Sequence, residues 1–81
     1  MTKVRNLRMT CPACPSQWEG RTPDNQHLYI RFRWGKLQIW LEGIEIFTFQ
    51  PDPQDTLRGV MSLRELQLCT HDILDFSEAR L

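Results

Sequence analysis

From Leu28 to Phe49 the chain alternates apolar and polar residues at every second position, broken only at Gly35-Lys36 and Glu42-Gly43. Leu28, Ile30, Phe32 and Trp34 interleave with Tyr29, Arg31 and Arg33. Leu37, Ile39 and Leu41 interleave with Gln38, Trp40 and Glu42. Ile44, Ile46 and Thr48 then interleave with Glu45, Phe47 and Phe49. Side chains of an extended chain point to opposite sides in turn, so this period specifies strands with one buried face and excludes helix over the whole stretch.

The breaks set the pairing. Gly35-Lys36 suits a two-residue turn of type II′ with glycine first. It predicts Trp34 opposite Leu37, Phe32 opposite Ile39 and Ile30 opposite Leu41, with Arg33–Gln38 and Arg31–Trp40 on the reverse face. A second turn at Glu42-Gly43 pairs Leu41 with Ile44 and Ile39 with Ile46. Both turns put the same residues on one face, and a one-residue slip would invert every side chain. Upstream, a three-residue loop Asp24-Asn25-Gln26 with Asn25 left-handed sets Trp18 against Phe32 and Gly20 against Ile30. Glu19 then faces Arg31 and Gln17 faces Arg33. A four-residue loop would instead bury Gln17, Glu19 and Arg21, desolvating charge without partners.

Beyond the proline-broken loop Gln50–Asp55, Ser62-Leu63-Arg64-Glu65 reads as a capping box, with Met61 and Leu66 placed for a hydrophobic staple. Leu63, Leu66, Cys69, Thr70 and Ile73 keep helical spacing. One amphipathic helix is what a sheet with a single apolar face needs as cover. The expected fold is therefore α+β, a four-stranded antiparallel β-meander with one C-terminal α-helix packed on one face. It occupies a single domain over residues 1–81: a basic arm with Cys-x-x-Cys at 1–15, the meander at 16–49, a loop at 50–61, the helix at 62–75 and a tail at 76–81.

At 81 residues, 41% hydrophobic and 25% charged, the chain is ordinary globular material with room for one core. No run approaches the ~18 apolar residues of a membrane helix. Lys3, Arg5 and Arg8 leave no apolar signal-peptide core near the start, so a cytoplasmic protein without membrane contact is expected. The ten basic and ten acidic residues cancel but are segregated. Residues 1–36 hold seven basic against two acidic residues, and 37–81 hold three against eight. That balance speaks against non-specific nucleic-acid coating yet allows one basic face. Mutual pairing of the two halves on folding is the plainer alternative.

Cys11-x-x-Cys14 with Cys69-x-His71 supplies the inventory of a Cys3His zinc site, with Cys11, Cys14 and Cys69 as metal ligands. Residues two apart on a helix point about 200° apart, so Cys69 and His71 converge on one ion only if the helix breaks. His27 is a substitute imidazole. A Cys11–Cys14 disulfide and three inert thiols are the competing readings, and an odd number of cysteines suits a reducing compartment. No base stands near a thiol by any sequence argument. Asp52 and Asp55 lie in a solvated loop, and glycine-rich phosphate loops and Ser-His-Asp arrangements are lacking, so no enzyme activity is expected.

The reverse face of the sheet is the better candidate surface. The predicted pairing arranges it as Arg21–Tyr29, then Glu19–Arg31–Trp40–Glu45, then Gln17–Arg33–Gln38–Phe47. Arg21, Tyr29, Arg31, Arg33, Trp40 and Phe47 combine stacking planes with bidentate anion donors, as binding of a nucleotide or single-stranded nucleic acid requires. The same residues suit a protein-docking patch or a dimer interface. Cross-strand pairs that merely stabilise an exposed sheet are the bland reading.

The run Cys14-Pro-Ser-Gln-Trp-Glu-Gly followed by Leu28-Tyr-Ile-Arg-Phe-Arg-Trp-Gly resembles a set of small uncharacterised proteins from bacteria and their phages. The likeness covers Cys14 to about Leu37 and transfers no site residues. It implies a mobile-element accessory protein, of a kind that blocks a host defence by masking an effector protein or sequestering a nucleotide signal. The expected function is stoichiometric, non-enzymatic binding of a host protein through the open Arg/aromatic face. Alternatives are a sequestered nucleotide or other phosphate-bearing ligand, held between subunits of a homo-oligomer, and a zinc-stabilised nucleic-acid-binding module.

Overall fold

A computed structural model describes residues 1–81. Its elements are β1 (Thr2–Lys3), β2 (Asn6–Cys11), β3 (Ser16–Arg21), β4 (His27–Arg33), β5 (Lys36–Leu41), β6 (Ile44–Phe49), α1 (Leu63–Thr70) and β7 (Leu74–Asp75). Strands β2 to β6 form one antiparallel meander in sequence order, while β1 and β7 make a separate two-residue parallel pair. The class is α+β as expected, but the sheet has five strands rather than four.

The additional strand is β2, which corrects the reading of residues 1–15 as an arm. Leu7 and Met9 face Gly20 and Trp18, and Arg8 faces Glu19, so the apolar residues join the same face as those of β3. A bulge at Thr10 breaks the alternation before Cys11. The 76–81 tail is also structured: the Leu7 amide donates to the Arg80 carbonyl and the Arg80 amide to the Arg5 carbonyl, capping the start of β2's outer edge.

The two inner hairpins keep the expected faces but are displaced by two residues. Strands β4 and β5 pair Leu28 with Leu41, Ile30 with Ile39 and Phe32 with Leu37. Their turn is Trp34-Gly35, not Gly35-Lys36. Both central residues have positive φ (54° and 71°), the backbone of a type I′ turn, whose twist matches the strands. Trp34 leaves the predicted core and stands 57% exposed. Gly35 is irreplaceable there, because a Cβ would collide with the Asp55 carbonyl oxygen and its amide donates to the Arg58 carbonyl. Likewise β3 and β4 pair Trp18 with Ile30 and Ser16 with Phe32. The connection is a five-residue loop, Thr22 to Gln26, with Asn25 left-handed at φ 63°.

The Glu42-Gly43 turn sits as expected, with Leu41 opposite Ile44. A bulge then inserts Ile46, so Ile39 faces Phe47 and Gln38 faces Thr48. Phe47 is thereby moved from the reverse face to the apolar one, where it packs on the core.

Leu7, Trp18, Leu28, Ile30, Phe32, Leu37 and Ile39 form that apolar face, covered by Met61, Leu66 and Leu74. The capping box is present: the Ser62 hydroxyl accepts from the Glu65 amide, and the Glu65 carboxylate from the Ser62 amide. Met61 and Leu66, the staple pair, are both buried. The helix ends at Thr70, four to five residues earlier than the spacing suggests, because Leu74 and Asp75 pair with Thr2 and Lys3 instead. No helix is long and apolar enough to cross a membrane.

Two outcomes follow. Phe32→Asp or Leu7→Asp buries an unpaired charge and should cost about 3 kcal/mol or more in urea unfolding, while Arg33→Asp should stay within about 1 kcal/mol. A silent Leu7→Asp would restore the unstructured arm. The Glu65 carboxyl is held below its ordinary value of 4.5 chiefly by the Arg58 guanidinium hydrogen bond, which outweighs the opposing effect of burial and is helped by the Ser62 amide. Its folded value is depressed, so the stabilisation is complete above the ordinary value and is lost as pH falls through the folded one. Glu65→Gln keeps the capping reach and should flatten the acid limb of the stability curve below about pH 4.5.

Candidate functional site

Strands β4 and β5 project Tyr29, Arg31, Gln38 and Trp40 from the face opposite the core, because each lies one residue from a fully buried neighbour. Tyr29 and Trp40 are direct cross-strand partners, their ring centroids 5.4 Å apart at 37°. Arg31 is diagonal to Trp40, with its guanidinium carbon 4.9 Å from the ring centroid. One Nη donates to Gln38 Oε1 at 3.1 Å, and the Nε is buried against its surroundings without a hydrogen-bond partner. Gln38 Nε2 in turn donates to Glu45 Oε1 at 3.3 Å, which also accepts from the Thr48 hydroxyl. Thr48 first, then Gln38, hold the Glu45 carboxyl below its ordinary value. The result is a polar chain, Arg31–Gln38–Glu45–Thr48, that fixes one guanidinium plane on an indole.

The other cations of this face are freer. Arg8, Arg21, Arg33 and Lys36 are exposed and carry no ion pair. Arg33 leans over the Trp34 ring at 5.5 Å, and Arg21 donates to the Asn25 carbonyl at 3.3 Å. Glu19 is engaged by His27, whose Nε2 donates to its Oε1 at 2.9 Å. Arg8, Glu19, Arg21 and His27, with Asn6, line a shallow cleft of about 410 Å³. Five cations, Arg31 included, thus face two carboxylates on one side of the sheet.

Of the six sequence-predicted surface residues, Tyr29, Arg31 and Trp40 come together, and Arg21 and Arg33 flank them at opposite ends. Phe47 does not join, since the bulge at Ile46 turns it towards the core. The neighbours also change: Glu19 faces Tyr29, and Gln17 faces Arg31. Sequence reasoning missed Arg8, Asn6 and His27. The available signal was the Leu7-Arg8-Met9 alternation, too short to separate a strand from an extended arm.

The three cysteines do not form the predicted metal set. Cys11 ends β2 with its thiol donating to the Ala13 carbonyl, and Cys14 is exposed at φ 51° with its amide on the Gly59 carbonyl. Cys69 packs on the core from α1, and His71, the helix C-cap, has its Nδ1 3.0 Å from the Leu68 carbonyl oxygen. No three His, Cys, Asp or Glu side chains converge as metal ligands, and all three thiols are free. Burial, followed by the Glu65 charge, pushes the Cys69 thiol up.

No protein-family model, curated protein or solved structure matches the chain.

Chelation should therefore leave the thermal melting curve unchanged, and a shift of several degrees would reinstate a structural metal. Under limiting maleimide, Cys14 should label well before Cys69, as peptide mass mapping would read.

Proposed function

We propose that this protein is a non-enzymatic binding module that engages an acidic surface of a partner protein, one molecule to one, through the open face of its sheet. The observation that carries the proposal is the Tyr29–Trp40 pair with Arg31 laid over it, half-buried and held by Gln38. A side chain already ordered loses little rotamer freedom on binding, and aromatic and arginine residues dominate interface energetics. Around that anchor Arg8, Arg21, Arg33 and Lys36 supply a cationic rim, which steers an acidic partner and sets the salt dependence. The mobile-element, anti-defence role rests on the resemblance of residues 14–37 alone and names a host protein as the partner.

A second reading has its own observation. The cleft bounded by Arg8, Arg21 and Asn6, with Glu19 and His27 paired in its wall, is of the size for a phosphate-bearing ligand such as a nucleotide, with two guanidinium groups as donors. It lies beside the aromatic pair rather than over it, so the two readings call on different residues.

Affinity capture with the full chain, followed by calorimetry on the recovered partner, tests the first reading. Trp40→Ala and Arg31→Ala should each weaken binding by more than about 1 kcal/mol, with Arg33→Ala affecting mainly the salt dependence. Arg64→Ala, on the exposed side of α1, should be neutral. Binding that survives Trp40→Ala while Arg8→Ala abolishes it, together with calorimetric uptake of a nucleotide, would establish the cleft instead.

A further inference from the structure

Strand β6 is the one long edge of the sheet that the chain leaves bare. It pairs with β5 alone, and no backbone hydrogen bond outside that ladder reaches Ile44–Phe49. The opposite edge is half covered, since Arg80 pairs with the start of β2. The loop after β6 gives no cover: it runs across the end of the sheet, where Arg58 meets Gly35 and Gly59 meets Cys14 and Ser16. Ile44, Ile46 and Phe49 consequently stand 69%, 41% and 43% exposed along one strand. Bare edges are usually blunted by lysine, proline, inward charge or a bulge, and of these β6 carries only the bulge at Ile46. The single charge on β6, Glu45, is instead turned back onto Gln38 and Thr48 of its own sheet.

We propose that β6 pairs antiparallel with β6 of a second copy, joining two sheets into one of ten strands about a two-fold axis between Ile46 and Phe47. The bulge selects this register. Before it the even-numbered Ile44 shares the core face, and after it the odd-numbered Phe47 and Phe49 do. Directly opposed residues must share a face, so a full-length pairing has to match an even residue with an odd one. That condition sets Ile44 against Phe49 and Ile46 against Phe47 of the second copy, apolar on apolar, and Glu45 against Thr48 on the open face. Without the inserted residue the same strand would place its axis through a residue instead.

Self-complementarity points to a second copy as the occupant, since the order apolar, polar, apolar, apolar, polar, apolar along Ile44–Phe49 reads the same in both directions. The β5–β6 hairpin carries Glu42 and Glu45 at its tip, whereas its other end mixes Lys36 and Arg33 with Asp52 and Asp55 of the following loop. Antiparallel pairing keeps the two acidic tips at opposite ends of the seam, whereas parallel pairing would oppose them. The interface is isologous, so it closes at two and does not propagate. It is independent of what the open face binds.

Sedimentation equilibrium on the full chain from micromolar to millimolar concentration tests the pairing. The wild type should show a reversible monomer–dimer equilibrium. Ile46→Lys and Ile46→Glu, both at an exposed position, bring like charges together across the axis and should each weaken the dimer about tenfold or more. Mixing the two variants should restore a heterodimer, an outcome that an unfolded variant could not give. Met9→Lys, on the other edge strand, should leave the dimer intact. A wild type that stays monomeric throughout, a dimer indifferent to Ile46→Lys, a mixture that does not recover, or a dimer dissolved by Met9→Lys would each overturn the assignment.

Discussion

Everything in this fold is arranged around the buried side of β4. Leu28, Ile30 and Phe32 are almost wholly withdrawn from solvent, and each needs cover from both neighbouring strands and from above. Burying such side chains contributes roughly 1.5–3 kcal/mol each, the largest favourable effect open to a chain this short. Strands β3 and β5 supply flanking residues of the same parity. The helix supplies Leu66, and the segment leading into it supplies Met61.

Beside this apolar cover, a small polar node ties the segment leading into the helix to the start of β3. The Ser16 hydroxyl, fully buried, donates to the Pro12 carbonyl at 2.7 Å and accepts from the Met61 amide at 3.0 Å. The amides of Cys14 and Ser16 both donate to the Gly59 carbonyl at 2.9 Å. Buried backbone groups left unpaired would each carry a desolvation penalty, so this cluster determines where the loop crosses. The Cys-x-x-Cys knuckle therefore has a structural part to play: it presents backbone donors and acceptors to the chain that starts the helix, while its thiols stay outside the core.

The candidate surface was legible only in part. Alternation alone placed Tyr29, Arg31 and Trp40 on the face away from the core, and they meet there. Which of them touch was not legible. Arg31 was expected beside Trp40 across the strands, whereas the ladder puts Tyr29 there and brings Arg31 in diagonally. The contact survives because a long side chain spans the diagonal of an antiparallel pair. Phe47 was lost for a different reason: a bulge adds a residue without disturbing local composition, so nothing in the run Ile44–Phe49 announces it. Arg8 went unassigned because a strand of one face is recognisable from several alternations, and β2 offers barely two before Thr10 breaks the pattern.

The amino-acid sequence by itself determined which residues of β3, β4 and β5 face the core, the turn at Glu42-Gly43, the left-handed Asn25 and the Ser62 cap. Each is a local property, set by a period of two, a glycine's freedom at positive φ, or a side chain reaching its own backbone. Only the tertiary structure decided the two-residue offsets of the β3–β4 and β4–β5 hairpins, the recruitment of β2, the bulge in β6 and the early end of α1. Registers two residues apart bury the same faces, so alternation has no power to separate them. The choice falls to long-range closure, namely the loop at 55–59 fastening over Gly35 and Cys14, Arg80 closing on β2, and Leu74 leaving the helix to pair with Thr2.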